Sequence, residues 1–178
     1  MRGQEGSFQR RAVAARSVHH PPLSGIARMI LVDADACPVK PEAIRVALRH
    51  EMPIVFVANQ GLRLPDHPLI RMFVVGDGFD AADDAIAEAA GPRSVVITAD
   101  ILLAERCLKA GAQVLDHKGA AFTTDGIGGQ IATRAIMADL RAGLDGQGIG
   151  GAKPFAKADR SRFLDALETT VRRVPRRP

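Results

Sequence analysis

Short apolar runs alternate with amphipathic segments along most of this chain. The short runs predict buried β-strands, and segments with apolar residues three or four positions apart predict helices. The predicted strands are 29–33, 53–58, 72–75, 94–97 and 112–115. The predicted helices are 40–50, 80–90, 100–110, about 130–142 and about 157–173. This alternation predicts an α/β fold with a Rossmann-like, mostly parallel sheet and helices on both faces.

The chain has 178 residues, which suits one domain with a sizeable core. We expect that domain to span 29–173, after a disordered basic extension at 1–28 and before a basic tail at 174–178. The extension has five arginines against one glutamate and lacks the apolar stretch of a secretory signal. The glycine-rich stretch 143–153 matches no phosphate-binding fingerprint, so we expect a flexible connector there.

Charge is distributed unevenly along the sequence. The formal net charge is +4. Residues 29–152 hold eleven basic and sixteen acidic side chains, whereas residues 153–178 hold eight basic and three acidic ones. This distribution is typical of a metal site beside a phosphate-binding rim, and equally of a solvated surface with a basic tail.

Composition also limits the setting and the partners. No apolar run is long enough to cross a membrane, and the two cysteines lack zinc-binding spacing. We therefore expect a cytoplasmic protein with no membrane partner. Trp and Tyr are absent, so recognition of nucleic acid by base stacking is poorly supported.

Two acidic side chains follow the first predicted strand. Asp33 and Asp35 are two positions apart, so on an extended chain they face the same way. They lie at the carboxyl end of the strand, where open α/β sheets bind ligands, and paired carboxylates favour Mg²⁺ or Mn²⁺. The alternative is that Asp33 only ends the strand and Asp35 caps the next helix.

A third carboxylate follows a later strand. Asp100 comes after the strand 94–97 and Thr98. Because carboxyl ends of parallel strands meet at one edge of a sheet, we expect Asp100 to lie near Asp33. Thr98 is expected to orient Asp100 or to bind a phosphate; alternatively, it is a β-branched residue that suits a strand end.

The helix 80–90 begins with three further acids. Asp83 falls at the edge of the apolar face, whereas Asp84 points away from that face. Asp80 is placed as the N-cap, and acids in a first turn suit the positive end of a helix. A solvated first turn therefore explains Asp80 and Asp84 without a function, but it does not explain Asp83.

These carboxylates predict a site for one or two divalent cations that activate water for phosphodiester hydrolysis. The predicted catalytic residues are Asp33, Asp35, Asp83 and Asp100. The predicted ligands of Mg²⁺ or Mn²⁺ are the same four residues and Asp84. The predicted substrate-binding residues are Thr98, Lys153, Arg160 and Arg162, with RNA as the expected partner.

Four segments of the chain strongly resemble the bacterial YaiI/YqxD family. They are MILVDADACPVK (29–40), FDAADDAIAE (79–88), VVITADILLAERC (95–107) and PFAKADRSRFL (154–164). The resemblance covers about residues 29–173. The pattern is similar, more remotely, to the PIN-like nucleases, which use acidic clusters on a Rossmann-like sheet to bind Mg²⁺ or Mn²⁺ and cut RNA.

The PIN-like resemblance implies roles for individual acids. Asp33 matches the acid of the first strand, and Asp83 or Asp84 matches the acid of the mid-chain helix. Asp100 matches the acid after the fourth strand, and Asp116 is available as a further one.

Two other functions stay open at this point. One is a non-catalytic protein that binds nucleic acid through its basic C-terminal part. The other is a haloacid-dehalogenase-like phosphohydrolase, with Asp33 as nucleophile, Asp35 as acid-base group, and Thr98 and Lys118 beside them. The order of the acids along the chain counts against this second alternative.

Overall fold

A computed structural model describes residues 28–35, 37–76, 78, 80–143 and 155–175. Its strands are β1 (Met29–Asp33), β2 (Ile54–Ala58), β3 (Ile70–Val74), β4 (Ser94–Ile97), β5 (Gln113–Leu115) and β6 (Ala121–Phe122). Its helices are α1 (Lys40–Arg49), α2 (Ala81–Ala89), α3 (Ile101–Lys109), α4 (Thr124–Gly143) and α5 (Lys157–Arg173). Each predicted strand and helix therefore has a counterpart in the described residues.

The strands form one sheet in the order β3-β2-β1-β4-β5-β6. β1 pairs in parallel with β2 on one side and with β4 on the other. Among the described strands, β6 alone is antiparallel to its neighbour, which is β5. The prediction of a Rossmann-like, mostly parallel α/β sheet is confirmed.

Helices cover both faces of the sheet, so the central strands are buried on both sides. Ile30 and Val32 of β1 pack toward α1 and α5, whereas Met29 and Leu31 pack toward α2, α3 and the start of α4. This arrangement explains why the central strands read as continuous apolar runs instead of alternating polar and apolar positions. Asp33 continues the alternation onto the face covered by α2 and α3.

The largest difference from the prediction is the start of α4. This helix begins at Thr124 and not near 130, so Gly126, Gly128 and Gly129 lie within its first turns. The hydroxyl of Thr123 accepts a hydrogen bond from the Gly126 amide at 3.1 Å. Ile127 is buried against the α2–α3 face of the sheet. This cap and this burial offset the cost that glycine adds to a helix.

Some predictions fall outside the described residues. They concern most of the extension at 1–28, the connector at 143–153 beyond residue 143, and the last three residues of the basic tail. Among the helices that the structure describes, none has the length and apolarity needed to span a membrane.

Candidate metal centre

The sheet reverses its strand order between β1 and β4. From β1 the chain continues to β2 and β3 on one side, whereas β4 and β5 lie on the other side. At such a switch point the two connections leave in opposite directions and open a crevice at the carboxyl ends of the strands. Asp33 is the last residue of β1, and Thr98 directly follows β4. The sequence therefore brings these two side chains to the place where this fold binds ligands.

Thr98 fixes the orientation of Asp33. Its side chain is fully buried, and its hydroxyl donates a 2.9 Å hydrogen bond to Asp33 Oδ2. The same hydroxyl accepts a 3.0 Å hydrogen bond from the Asp100 amide. Thr98 thus binds the backbone of Asp100 and the carboxylate of Asp33. The buried Thr98 hydroxyl therefore links the end of β1 to the residue that begins the turn into α3.

A cavity of about 420 Å³ opens above Asp33. Its lining residues come from the ends of β1 and β2 and from the start of α2, and they are Asp33, Asp35, Asn59, Gly78, Asp80, Ala81, Ala82 and Asp83. Four of these side chains are carboxylates. The structure therefore brings three predicted residues, Asp33, Asp35 and Asp83, to one cavity.

Asp80 is a fourth carboxylate of this cavity, which the sequence did not assign to the site. It occupies the expected N-cap position of α2, but its side chain makes no capping hydrogen bond to that helix. Its backbone is left-handed, with φ 62°, a conformation that is uncommon for residues other than glycine. The carboxylate that was expected to cap α2 lines the cavity instead.

The acids of the cavity disfavour one another's charge. Burial raises the pKa of Asp33, and the nearby Asp35 and Asp100 raise it further, while the hydrogen bond from Thr98 opposes the change. Burial, followed by the charges of Asp33, Asp100 and Asp80, raises the pKa of Asp83 to about 6. A bound cation would relieve this repulsion.

The donor chemistry of the cavity suits Mg²⁺ or Mn²⁺, because these hard cations prefer carboxylate oxygens. Among the described residues, no three carboxylate, histidine or cysteine side chains already stand close enough to hold a metal. Asp33 and Asp83 are half-buried, whereas Asp35 and Asp80 are exposed. Closing a coordination shell would therefore depend on rotation of the exposed carboxylates toward the half-buried pair.

Asp100 lies beside the cavity and is not part of its lining. Its Oδ1 accepts hydrogen bonds from the amides of Leu102 at 2.7 Å and Leu103 at 3.4 Å, which caps α3. The same oxygen lies 3.6 Å from the Arg134 guanidinium. Its charge nevertheless contributes to the raised pKa of both Asp33 and Asp83.

Two other predicted or suggested acids lie outside the cavity. Asp84 accepts a 2.7 Å hydrogen bond from Arg106, and its side chain is 59% exposed. Asp116 accepts hydrogen bonds from the amides of Lys118 at 2.8 Å and Ala120 at 2.7 Å, which stabilises the turn before β6. Both carboxylates therefore have local structural partners.

The arginines predicted to bind substrate each pair with a carboxylate in the structure. Arg160 donates to the Pro38 carbonyl at 2.9 Å and to both Glu42 oxygens at 3.1 Å. Arg162 pairs with Asp159. Lys153 lies outside the described residues. Arg160 and Arg162 thus pair with carboxylates of α1 and α5, and neither of these carboxylates lines the acidic cavity.

Two residues that sequence reasoning missed lie near Asp33. Asn59 lines the cavity and follows β2 as Asp33 ends β1, so the strand-end rule that identified Asp33 also identifies Asn59. His117 follows β5; its buried Nε2 has no hydrogen-bond partner among the described residues. Burial lowers the pKa of His117, whereas the charges of Asp33 and Asp116 oppose this shift.

Lys40 holds the loop that carries Asp35. Its ammonium group donates 2.8 Å hydrogen bonds to the carbonyls of Ala34 and Cys37. The two bonds bracket the turn between β1 and α1. No sequence pattern indicated this contact, because it depends on how the loop folds back over the first residue of the helix.

Comparison with known proteins places this site in a family. The family described as "Uncharacterized BCR, YaiI/YqxD family" matches residues 31–173. A UPF0178 protein of Jannaschia sp. (strain CCS1) is 66% identical over 147 residues, which cover 83% of this chain and 94% of that protein. A UPF0178 protein of Sphingopyxis alaskensis is 64% identical over 150 residues, covering 84% of this chain and 97% of that protein.

A third relative, a UPF0178 protein of Parvibaculum lavamentivorans, is 53% identical over 149 residues, 84% of this chain and 97% of that protein. No solved structure matches the chain. The family match covers most of the chain and includes every carboxylate of the cavity. This chain belongs to the YaiI/YqxD family.

Proposed function

We propose that this protein is a Mg²⁺- or Mn²⁺-dependent phosphodiesterase that cuts RNA. The observation that carries the proposal is the convergence of Asp33, Asp35, Asp80 and Asp83 on one cavity at the switch point of the sheet. Four carboxylates on one cavity are unfavourable unless a cation neutralises them. The resemblance of this acidic pattern to PIN-like nucleases supports the same class of reaction.

The roles of the residues follow from their positions. Asp33 and Asp83 would hold the cation, and Asp35 and Asp80 would complete its shell. When bound, such a cation polarises a phosphoryl oxygen and lowers the pKa of water. Thr98 keeps the Asp33 carboxylate in one orientation, as supporting hydrogen bonds do for metal ligands in general. The side-chain amide of Asn59 would supply an uncharged donor for a phosphate oxygen at the cavity wall.

The two alternatives have less support. A phosphohydrolase with Asp33 as nucleophile would need the Thr98 hydroxyl at the phosphoryl group, but that hydroxyl is buried and bonded to Asp33. A non-catalytic nucleic-acid-binding protein would bind through the basic C-terminal part, but Arg160 and Arg162 there each pair with a carboxylate, which reduces the net positive charge offered to a phosphate backbone. We therefore favour cleavage of a phosphodiester.

Cleavage assays test the proposal. Purified protein is incubated with single-stranded RNA and with bis(p-nitrophenyl) phosphate, in Mn²⁺ or in EDTA. We expect cleavage in Mn²⁺ only, and loss of cleavage in Asp83→Asn but not in Asp84→Asn. The two variants remove the same charge from adjacent positions, and only Asp83 lines the cavity.

Other results would select other functions. Hydrolysis of p-nitrophenyl phosphate with an aspartyl-phosphate trapped at Asp33 would favour the phosphohydrolase. RNA binding that falls steeply with salt and needs no metal, without cleavage, would favour the binding protein.

A further inference from the structure

A second cavity, of about 550 Å³, lies between α3 and α4. Its lining includes Ile101 of α3 and, from α4, Gly129, Gln130, Arg134 and Met137. The volume is in the range of sites for small molecules, so the groove has room for a unit the size of one nucleotide.

This groove adjoins the acidic cavity through Asp100. Asp100 caps α3, and the next residue, Ile101, lines the groove. The Arg134 guanidinium lies 3.6 Å from Asp100 Oδ1. The Asp100 amide in turn donates a 3.0 Å hydrogen bond to the Thr98 hydroxyl, which donates a 2.9 Å hydrogen bond to Asp33 in the acidic cavity. A chain molecule bound at the acidic cavity can therefore continue past Asp100 into the groove.

The lining of the groove includes one positively charged side chain, two large apolar side chains and a glycine with open space around it. The side chain of Arg134 is 51% exposed and offers its charge to solvent. Ile101 and Met137 add apolar surface. A Cβ atom built on Gly129 meets nothing within 4 Å, so the glycine leaves space that a larger side chain would fill. A nucleotide whose phosphate contacts the guanidinium and whose base contacts the apolar side chains matches this combination.

On the basis of the proposed function, we propose that the α3–α4 groove binds the nucleotide next to the cleaved bond of a single-stranded nucleic acid. Arg134 binds its phosphate, and the base lies over Ile101 and Met137. The protein therefore acts on a strand that extends beyond the reacting phosphate. A small diester such as bis(p-nitrophenyl) phosphate, when bound at the acidic cavity, leaves this groove empty.

Two glycines of α4 provide a matched test. Gly128 and Gly129 are both exposed and both have open space around an added Cβ, but only Gly129 lines the groove. Affinity for a fluorescein-labelled, short single-stranded RNA is measured in Ca²⁺, which occupies hard oxygen sites. We expect Gly129→Leu to weaken binding and Gly128→Leu to bind as the wild type does.

Arg134 is tested separately by its charge. We expect Arg134→Gln to weaken RNA binding about tenfold and to reduce the salt slope by about 0.7, the value for one lost contact to a single strand. Arg45→Gln is the control, because Arg45 is exposed on α1, on the opposite face of the sheet. Equal binding by Gly128→Leu and Gly129→Leu, or an unchanged salt slope in Arg134→Gln, would overturn the inference.

The remaining outcomes separate this inference from the proposed function. Equal affinity for a polyglutamate peptide would indicate an acidic protein partner and would also overturn the inference. Absence of Mn²⁺ binding and of bis(p-nitrophenyl) phosphate cleavage would overturn the proposed function. Mn²⁺-dependent cleavage of that small diester, without RNA binding in the groove, would overturn the inference alone.

Discussion

The Thr98 hydroxyl donates a 2.9 Å hydrogen bond to the Asp33 carboxylate and so joins the ends of β4 and β1 at the point where the sheet reverses. Two short side chains reach each other here, because β1 and β4 are hydrogen-bonded neighbours in the sheet. The bond fixes the one carboxylate of the cavity that ends a strand of the sheet. The geometry of the candidate site therefore depends on the sheet itself.

Replacing Thr98 by valine removes this bond and keeps the shape of the side chain. We expect the free energy of unfolding to fall by about 1–2 kcal/mol, because the Asp33 carboxylate and the Asp100 amide lose a partner. We also expect Mn²⁺ affinity to fall at least about tenfold, as for other supporting groups of metal ligands. Urea unfolding and calorimetry measure both effects. Thr98→Ser keeps the hydroxyl as the control, and equal Mn²⁺ affinity of the two variants would contradict the orienting role.

Replacing Asp83 by asparagine is expected to stabilise the metal-free protein at neutral pH. The pKa of this carboxyl is raised from 3.8 to about 6 on folding, so the fold disfavours its charged form. Its contribution to stability is therefore complete below about pH 4 and is lost as the pH rises to about 6. Because Asp83 is only half-buried, we expect a gain of about 1 kcal/mol, or roughly 2–4 °C in Tm.

Thermal unfolding in EDTA across this pH range checks the expectation. The gain of Asp83→Asn over the wild type should be largest above about pH 6 and should vanish near pH 4. Asp84→Asn is the control, since it loses the ion pair with Arg106 and relieves no repulsion in the cavity. A gain that does not depend on pH would contradict this account of the raised pKa.

Replacing Asp100 by asparagine separates its capping role from its charge. An asparagine oxygen also caps a helix, so we expect Asp100→Asn to keep the stability of the wild type. Because Asp100 lies beside the cavity and its charge acts on Asp33 and Asp83, we expect this variant to lower Mn²⁺-dependent cleavage without abolishing it. Asp100→Ala should in addition lose about 1 kcal/mol of stability with the cap. Cleavage and Tm are measured for both variants. Cleavage at the wild-type rate by Asp100→Asn would exclude Asp100 from the reaction.

A buried cluster joins α1 to α5 on the other face of the sheet. Glu168 accepts hydrogen bonds from Arg49 and, at 2.6 Å, from His50 Nε2, and these partners lower its pKa below 4.5. A carboxyl with a lowered pKa stabilises the fold above its ordinary pKa, and this contribution is lost as the pH falls through the folded value.

We therefore expect Glu168→Gln to lose about 2 kcal/mol at neutral pH, and we expect the difference from the wild type to shrink as the pH falls below the ordinary pKa of a glutamate. Urea unfolding at several pH values measures the difference. Arg172→Gln is the control, because the Arg172 guanidinium lies 3.6 Å from Glu168 and its side chain is mostly exposed. A loss of stability that is the same at every pH measured would contradict the role of the charged cluster.

The fold was predictable because its core strands are buried on both faces. β1 and β4 are runs of apolar residues that end at Asp33 and just before Thr98, and such runs leave little choice of structure. The start of α4 was not predictable from propensity, since three glycines near its beginning indicate a loop. The burial of Ile127 on the sheet decides the structure there, and this contact is distant in sequence. β6 has two residues, too few to show an alternating pattern.

The candidate site was predictable where a strand ends and less so where a helix begins. Asp33 and Asp35 followed from the position of β1, and Asp83 followed from the helical wheel. Asp80 was assigned to capping, because a sequence does not show that its backbone is left-handed and that its carboxylate makes no capping hydrogen bond to α2. The ion pair of Arg160 with Glu42 was not predictable, because the two residues are more than a hundred positions apart. Substrate binding by Arg160 stays a prediction.

Calorimetric titration with Mn²⁺ shows whether the carboxylates of the cavity bind a metal. We expect the wild type and Asp84→Asn to bind Mn²⁺ with the same affinity, and we expect Asp33→Asn and Asp83→Asn to lose this binding. Equal Mn²⁺ binding by all four proteins, or no binding by the wild type, would show that the carboxylates of this cavity do not form a metal site.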